Sequence, residues 1–200
     1  MDPHEQERPI DLIEGPDGMI YVGTIPTKGR LGGALVRINP DDLTSTVWRN
    51  VIEQQSILYL VSLPASGQIF GVSSITGGTS AVPSEKEAYV FFWDCRQEKV
   101  VFRGQPLGPT SSYGPIARGP EGKVYGIVGD KYYQFSPDRR EVLFVGDLPE
   151  KGIRCDWLYK TPPAPEDFLY GIQGEVIFAI DPQTNRVRVV GRHRSLAQVG

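Results

Sequence analysis

The sequence predicts an all-β chain of four four-stranded antiparallel units. Three observations carry that expectation. A turn-plus-strand motif, GPDGMIYVG at 15–23, returns as ASGQIFGV (65–72), GPEGKVYGI (119–127) and PEDFLYGI (165–172). The motif's aromatics, Tyr21, Phe70, Tyr125 and Tyr170, stand 49, 55 and 45 residues apart, a spacing in the range of sheet-built repeats. No segment has convincing helical periodicity, whereas short apolar runs alternate with turn residues throughout.

Each unit reads as strands A to D. The A strands are the apolar stretches IDLIEG (10–15), ILYLVSL (57–63), YGPIARG (113–119) and CDWLYK (155–160). A tight turn follows each, then the aromatic B strand. The C strands are GALVRINP (33–40), AYVFFWDC (88–95), KYYQFSPD (131–138) and EVIFAIDP (175–182). Three of these end in Asn-Pro, Ser-Pro or Asp-Pro, where a short polar side chain bonds the backbone and proline presets φ. The second has Asp94-Cys95-Arg96 instead. The D strands are STVWRNVI (45–52), KVVFRGQPL (99–107), EVLFVGDLP (141–149) and RVRVVGRH (186–193).

The units do not read as half-exposed sheets. Val124-Tyr125-Gly126-Ile127-Val128 is apolar on both faces, as expected of a sheet packed between two neighbours. Gly23, Gly71, Gly126 and Gly171, just after the aromatics, suit a crowded interior where backbones approach closely. In-phase repetition favours blades stacked radially over a β-sandwich. The expected blades are 8–52, 56–107, 112–149 and 153–193 within one domain, 1–200. Residues 194–200 resemble the start of a further strand.

The Gly-Pro-Asp-Gly-x-Ile-Tyr-Val-Gly pattern, followed by a strand, Asn/Asp-Pro and a Val-rich strand, resembles the β-propellers of the broad quinoprotein-like, NHL-like and SMP-30-like group. The resemblance covers nearly the whole chain. It implies a fold, not an activity, since propellers serve as lactonases, lyases, scaffolds and sensors. The repeated Trp-Asp of WD40 blades is not present; Trp93-Asp94 occurs once. Three forms of ring stay open: a complete four-bladed ring, half of a ring completed by a second copy, and part of a larger propeller.

Composition narrows the partners. The 200 residues are 40% hydrophobic and 22% charged, with a net charge of −3. That balance gives no expectation of nucleic acid or of an anionic membrane as partner. No apolar run approaches the ~18 residues of a membrane-spanning helix, and MDPHEQERP is not a signal peptide. Two distant cysteines, Cys95 and Cys155, make no disulfide framework. His4 and His193 lie at opposite ends of the chain, too few and too far apart for a histidine metal centre. The acids Asp11, Glu14 and Asp156, on or near A strands, match a carboxylate-bound calcium poorly. Neither a metal nor a cofactor is expected, and no catalytic residue is assigned.

Function is therefore sought in the loops. In a meander the A–B and C–D turns share one end, and the B–C loops share the other with the D–A connections. The first end is built of short turns whose acids, among them Asp17, Glu121 and Asp181, read as turn formers. The second carries TIPTKGRLGG (24–33) and SSITGGTSAVPSEKE (73–87), while blades 3 and 4 close with Gly129-Asp130 and Gln173-Gly174. The GGTS stretch (77–80) lacks the ending of a phosphate loop and reads as a flexible loop. Elaborated loops on a rigid scaffold are the usual place for recognition. Lys28, Arg30, Tyr113, Arg154 and Asp156 are the expected ligand-binding residues, Arg154 and Asp156 having the option of pairing with each other. The leading expectation is a non-catalytic module binding a ligand, a glycan or a protein through this face. The other is a propeller hydrolase or lyase acting on a sugar or lactone at the axial mouth. Self-association or continuation by further blades is the third expectation.

Overall fold

The computed structural model describes residues 4–160 and 168–194. Two compact units, Met1–Tyr113 and Gly114–Gly200, hold two sheets each. In the first unit, β1 (Gln6–Glu14), β2 (Ile20–Pro26), β3 (Ala34–Ile38) and β4 (Ser45–Arg49) make one sheet. The other comprises β5 (Ser56–Leu63), β6 (Gln68–Ser74), β7 (Val90–Asp94) and β8 (Lys99–Gly104). In the second unit, β9 (Ile116–Arg118), β10 (Val124–Val128), β11 (Lys131–Ser136) and β12 (Glu141–Asp147) pair in order. So do β13 (Cys155–Lys160), β14 (Leu169–Gln173), β15 (Val176–Asp181) and β16 (Arg186–Arg192). Each sheet is an antiparallel meander in chain order, and the expected all-β fold of four four-stranded blades is the one observed. Residues 165–167 of the fourth motif and residues 195–200, read as the start of a further strand, lie outside the described residues.

One A strand departs from its expected span. YGPIARG (113–119) is divided: the Tyr113 amide donates to the Ser73 carbonyl (3.2 Å), whereas the Gly114 amide donates to the Ile127 carbonyl (2.8 Å). Pro115 has no amide to give to a ladder, so regular pairing begins only at Ile116.

The recurring turn has a physical cause. A Cβ on Gly15 would stand 2.5 Å from the Tyr21 ring, and one on Gly119 would stand 2.4 Å from the Tyr125 ring. The first glycine of GPDG and GPEG is thus the floor on which the buried B-strand tyrosine lies. The last glycine of each turn, Gly18 (φ 78°) or Gly122 (φ 73°), takes the left-handed conformation. Asp17 between them accepts the Tyr21 hydroxyl at 2.9 Å.

The glycines after the aromatics serve a second kind of contact. Gly71, Gly126 and Gly171 lie opposite Phe91, Tyr133 and Phe178 in the β6–β7, β10–β11 and β14–β15 ladders. A Cβ there would meet the facing ring at 2.2–2.3 Å. The aromatic ring covers the glycine, as in aromatic rescue of sheet glycines. Close backbone approach, expected at all four positions, occurs at Gly23, whose Cβ would stand 2.9 Å from the Ile57 carbonyl oxygen.

The core of the first unit joins Tyr21 and Leu35 of one blade to Leu60, Ile69, Phe91 and Trp93 of the next. The Trp48 and Trp93 rings are 4.9 Å apart. In the second unit, Tyr125, Ile127 and Tyr132 pack on Leu158, Leu169, Phe178 and Ile180. Each such side chain contributes about 1.5–3 kcal/mol by its burial, and this packing holds the strand ends that carry the loops.

Candidate functional site: the loop rim of the first unit

The B–C loops of the first unit run over 27–33 between β2 and β3 and over 75–89 between β6 and β7. They form one fabric. The Gly29 amide donates to the Thr79 carbonyl (2.9 Å) and the Gly78 amide returns a bond to the Arg30 carbonyl (2.9 Å). Gly78 is required at this crossing, because a Cβ would stand 1.9 Å from the Thr27 carbonyl oxygen. Gly77 and Gly78 are both buried. The GGTS stretch, expected as a flexible loop, is pinned between its neighbours. A third segment, the connection after β8, joins the rim: the Ile75 amide donates to the Ser111 carbonyl (3.0 Å) and the Ala88 amide to the Thr110 carbonyl (2.7 Å).

Beneath the rim lies a layer of buried polar side chains that reading the sequence missed. Gln55 is fully buried. Its Nε2 donates to the Glu87 carbonyl (2.8 Å), and its Oε1 accepts the Ser73 hydroxyl (2.6 Å). The Ser73 hydroxyl in turn accepts the Tyr89 amide (2.8 Å). Ser56 donates to the Thr76 carbonyl (2.5 Å), and Thr24 donates to Gln6 Oε1 (2.7 Å) while accepting the Ala34 amide (2.9 Å). Buried polar groups satisfied in this way fix a unique arrangement, because each lost bond costs about 1–3 kcal/mol. Little in the sequence marked them: Gln55 follows Glu53-Gln54, and Ser73-Ser74 close an apolar run where a loop begins.

The expected ligand-binding residues fall as follows. Lys28 and Arg30 project from the 27–33 loop and are exposed. The Lys28 amide is held by Glu7 Oε2 (3.1 Å), and Arg30 pairs with Glu5 (3.3 Å), which also takes Arg49 (2.7 Å). Tyr113 is buried; desolvation pushes its hydroxyl up to about 12 against the pull of a hydrogen bond with the Leu107 backbone. Its ring is a support for the rim rather than part of its surface. Arg154 and Asp156 belong to the second unit, where they pair with each other at 3.3 Å. The loop carrying them is clamped by Gln173, fully buried, whose Nε2 donates to the Glu150 and Ile153 carbonyls (2.8 Å each) and whose Oε1 accepts the Glu150 amide (2.9 Å). Gln173, read only as half of a short turn, is thus the counterpart in the second unit of Gln55 in the first.

At the other end of the first unit, the short turns enclose a cleft of about 660 Å³ lined by Pro16, Asp17, Ser66, Asp94, Cys95 and Arg96, among others. Its acids are committed to their turns. Asp94 accepts the Arg96 and Gln97 amides (3.0 and 2.8 Å), and these bonds, the Gln97 amide's foremost, hold its carboxyl below the usual range. Asp17 is occupied by Tyr21. In the second unit Asp181 does the same work, accepting the Gln183 amide and the Thr184 hydroxyl (2.8 and 2.6 Å). Among the described residues no group of three His, Cys, Asp or Glu side chains is placed to hold a metal ion, and no helix is long and apolar enough to cross a membrane.

No protein-family model and no curated protein sequence matches the chain. Solved structures do. The catalytically inactive virginiamycin B lyase of Staphylococcus aureus, solved with quinupristin, is similar over 98% of this chain and 59% of its own, with a TM-score of 0.69 and 11% identity. These blades are those of a β-propeller. The extracellular domain of a one-component system from B. thetaiotaomicron is similar over 93% of this chain and 24% of its own (TM-score 0.66, 12% identity). An auxiliary nutrient binding protein from Bacteroides thetaiotaomicron is similar over 90% and 46% (TM-score 0.60, 11% identity). At such identities the likeness is one of fold. The propeller blades described here span between 24% and 59% of the lengths of these three chains.

Proposed function

We propose that the chain is a non-catalytic propeller module that binds a glycan or a protein through the loop rim of its first unit. The observation that carries this reading is the double bond exchange between Gly29–Arg30 and Gly78–Thr79, which turns two long loops into one ordered surface. A preordered surface loses less conformational entropy on binding than two independent loops would. The rim exposes Lys28, Arg30, Thr79, Ser80, Val82 and Lys86, a mixture of cations, hydroxyls and one apolar contact suited to a polar or acidic partner. Tyr113 underlies this surface, and Arg154 with Asp156 offers a smaller polar patch on the second unit. That an auxiliary nutrient binding protein shares the fold is in keeping with a binding role.

The test is a binding screen of the whole chain against glycans and candidate proteins. For any ligand found, Lys28→Ala combined with Arg30→Ala weakens affinity by about tenfold or more, the loss of roughly 1.4 kcal/mol. Gly78→Val, which drives the two loops apart, weakens the same ligand with the blades still folded by circular dichroism. Ligands that bind both variants as they bind the parent chain overturn the reading. So does turnover of a sugar or lactone that disappears with Asp156→Asn or Arg154→Ala, which would instead establish the hydrolase or lyase.

A further inference from the structure

Three segments of the first unit converge on one carboxylate. Arg49 closes β4, where it pairs in register with Ala34, and the Asn50 amide after it donates to the Gly33 carbonyl (2.8 Å). Arg30 stands in the loop between β2 and β3. Glu5 precedes β1, and its carbonyl accepts the Thr27 amide (2.9 Å) at the start of that loop. The Glu5 carboxylate is divided between the two arginines. Its Oε1 lies 3.3 Å from Arg30 Nη2, and its Oε2 accepts a bond from Arg49 Nη1 at 2.7 Å. Glu5 does this from a φ of 52°, in the left-handed region that few glutamates adopt.

Two guanidiniums taking one oxygen each of a single carboxylate is an arrangement suited to an acidic ligand. Here the chain's own carboxylate fills it. The side chains of Arg30, Arg49 and Glu5 are 61%, 37% and 36% exposed, and ion pairs so open to water add little to stability. Glu5 is therefore exchangeable for a carboxylate arriving from solvent. Glu7, two residues on, is occupied with the Lys28 amide (3.1 Å). Thr79 and Ser80, both exposed, lie beside the Arg30 loop, because Gly29 and Arg30 exchange bonds with Thr79 and Gly78. None of the exposed residues of the two long loops is aromatic. Protein interfaces draw their anchors from buried aromatics, so cations beside hydroxyls favour a charged sugar over an acidic protein.

We propose that Arg30 and Arg49 form a carboxylate-binding site that Glu5 occupies in the free chain, and that the rim takes a glycan bearing uronic acids, one of whose carboxylates replaces that of Glu5. This rests on the loop rim being the binding surface. The leaving and entering groups are the same, so both charge-assisted bonds survive the exchange. Glu5 acts as an internal competitor, and apparent affinity falls by the fraction of time it fills the site. It is also a filter. A neutral sugar cannot restore the bonds that displacing Glu5 breaks, so charge selects the ligand.

The experiment is calorimetric titration of the whole chain with an oligogalacturonide, with a neutral galactose oligomer of equal length, and with a glutamate-rich peptide. The expected result is binding of the oligogalacturonide in clear preference to the other two. Glu5→Gln removes the competing charge and tightens that binding by about threefold or more. Arg49→Gln weakens it by about tenfold, and the double variant shows none of the gain. Glu5→Ala repeats the first arm if Glu5→Gln is not folded by circular dichroism. An oligogalacturonide that binds neither the parent nor Glu5→Gln overturns the proposal. So does one that binds Glu5→Gln no more tightly than the parent, and so does a preference for the peptide or the neutral oligomer. Gly78→Val separates this site from the rim as a whole. A ligand weakened by Gly78→Val but indifferent to Glu5→Gln removes the carboxylate site and keeps the rim; one indifferent to both removes the rim as well.

Discussion

The carboxylate of Asp11 on β1 accepts the backbone amide of Leu60 on β5 at 2.8 Å, tying one blade of the first unit to the next. It does so where the pairing of β5 with β6 shifts register between Ile57 and Leu60, so a side chain supplies an acceptor at an irregularity in the ladder. Its other oxygen takes the Leu12 amide at 2.9 Å.

Burial raises the carboxyl pKa of Asp11, and the Leu60 and Leu12 amides offset only part of that rise. A raised pKa means that the native chain holds the proton more tightly than the unfolded one. The ionised group therefore lowers stability progressively as pH rises from its ordinary value near 3.8 through the raised value. Asp11→Asn keeps an acceptor for Leu60 and removes the charge. Its stability relative to the parent should grow with pH across that window in urea titrations. Asp11→Leu strands the Leu60 amide and should cost about 1–3 kcal/mol at neutral pH. A difference between Asn and Asp that is flat or falls with pH would refute the assignment.

The glycine–aromatic pairs make a prediction about packing. Gly171→Ala places a methyl group 2.2 Å from the Phe178 ring, in a core with no room to yield. Overpacking of this kind costs about 1–3 kcal/mol. Phe178→Leu should relieve the collision, so the double variant should be more stable than the sum of the single losses predicts. A double-mutant cycle in urea measures that coupling. Simple additivity would show that the ring is not what excludes a side chain at position 171.

Both thiols should be silent in the folded chain. Cys95 and Cys155 are free and buried, and desolvation pushes their pKa values up to about 11 and about 12. The thiolate is the reactive form, so a thiol reagent at about pH 8 should modify the native chain only as fast as it opens. Denaturant should release two equivalents at once. Rapid native labelling of either residue would contradict the burial described for it.

The candidate site was less legible than the fold. Lys28 and Arg30 were readable from loop length and charge as exposed residues of a long B–C loop, which is where they stand. Gln55, Ser73 and Gln173 were not, since a polar residue at a strand end ordinarily reads as solvent-facing. What buries them are loops distant in sequence: Glu87 over Gln55, Tyr89 over Ser73, Glu150 over Gln173. The same holds for Gly77 and Gly78, whose composition suggests looseness and whose contacts with Thr27 and Arg30 impose order.

By itself the sequence determined the blades. Turn geometry, strand propensity and the recurring aromatic are local properties, so GPDG in the first unit and GPEG in the second make the same turn into the same buried tyrosine strand. Only the tertiary structure decided which sheet faces pack together within each unit, where the polar side chains find partners and how two loops become one rim. Those outcomes rest on contacts between residues far apart in the chain, whose energies depend on burial and on distances that no short stretch contains.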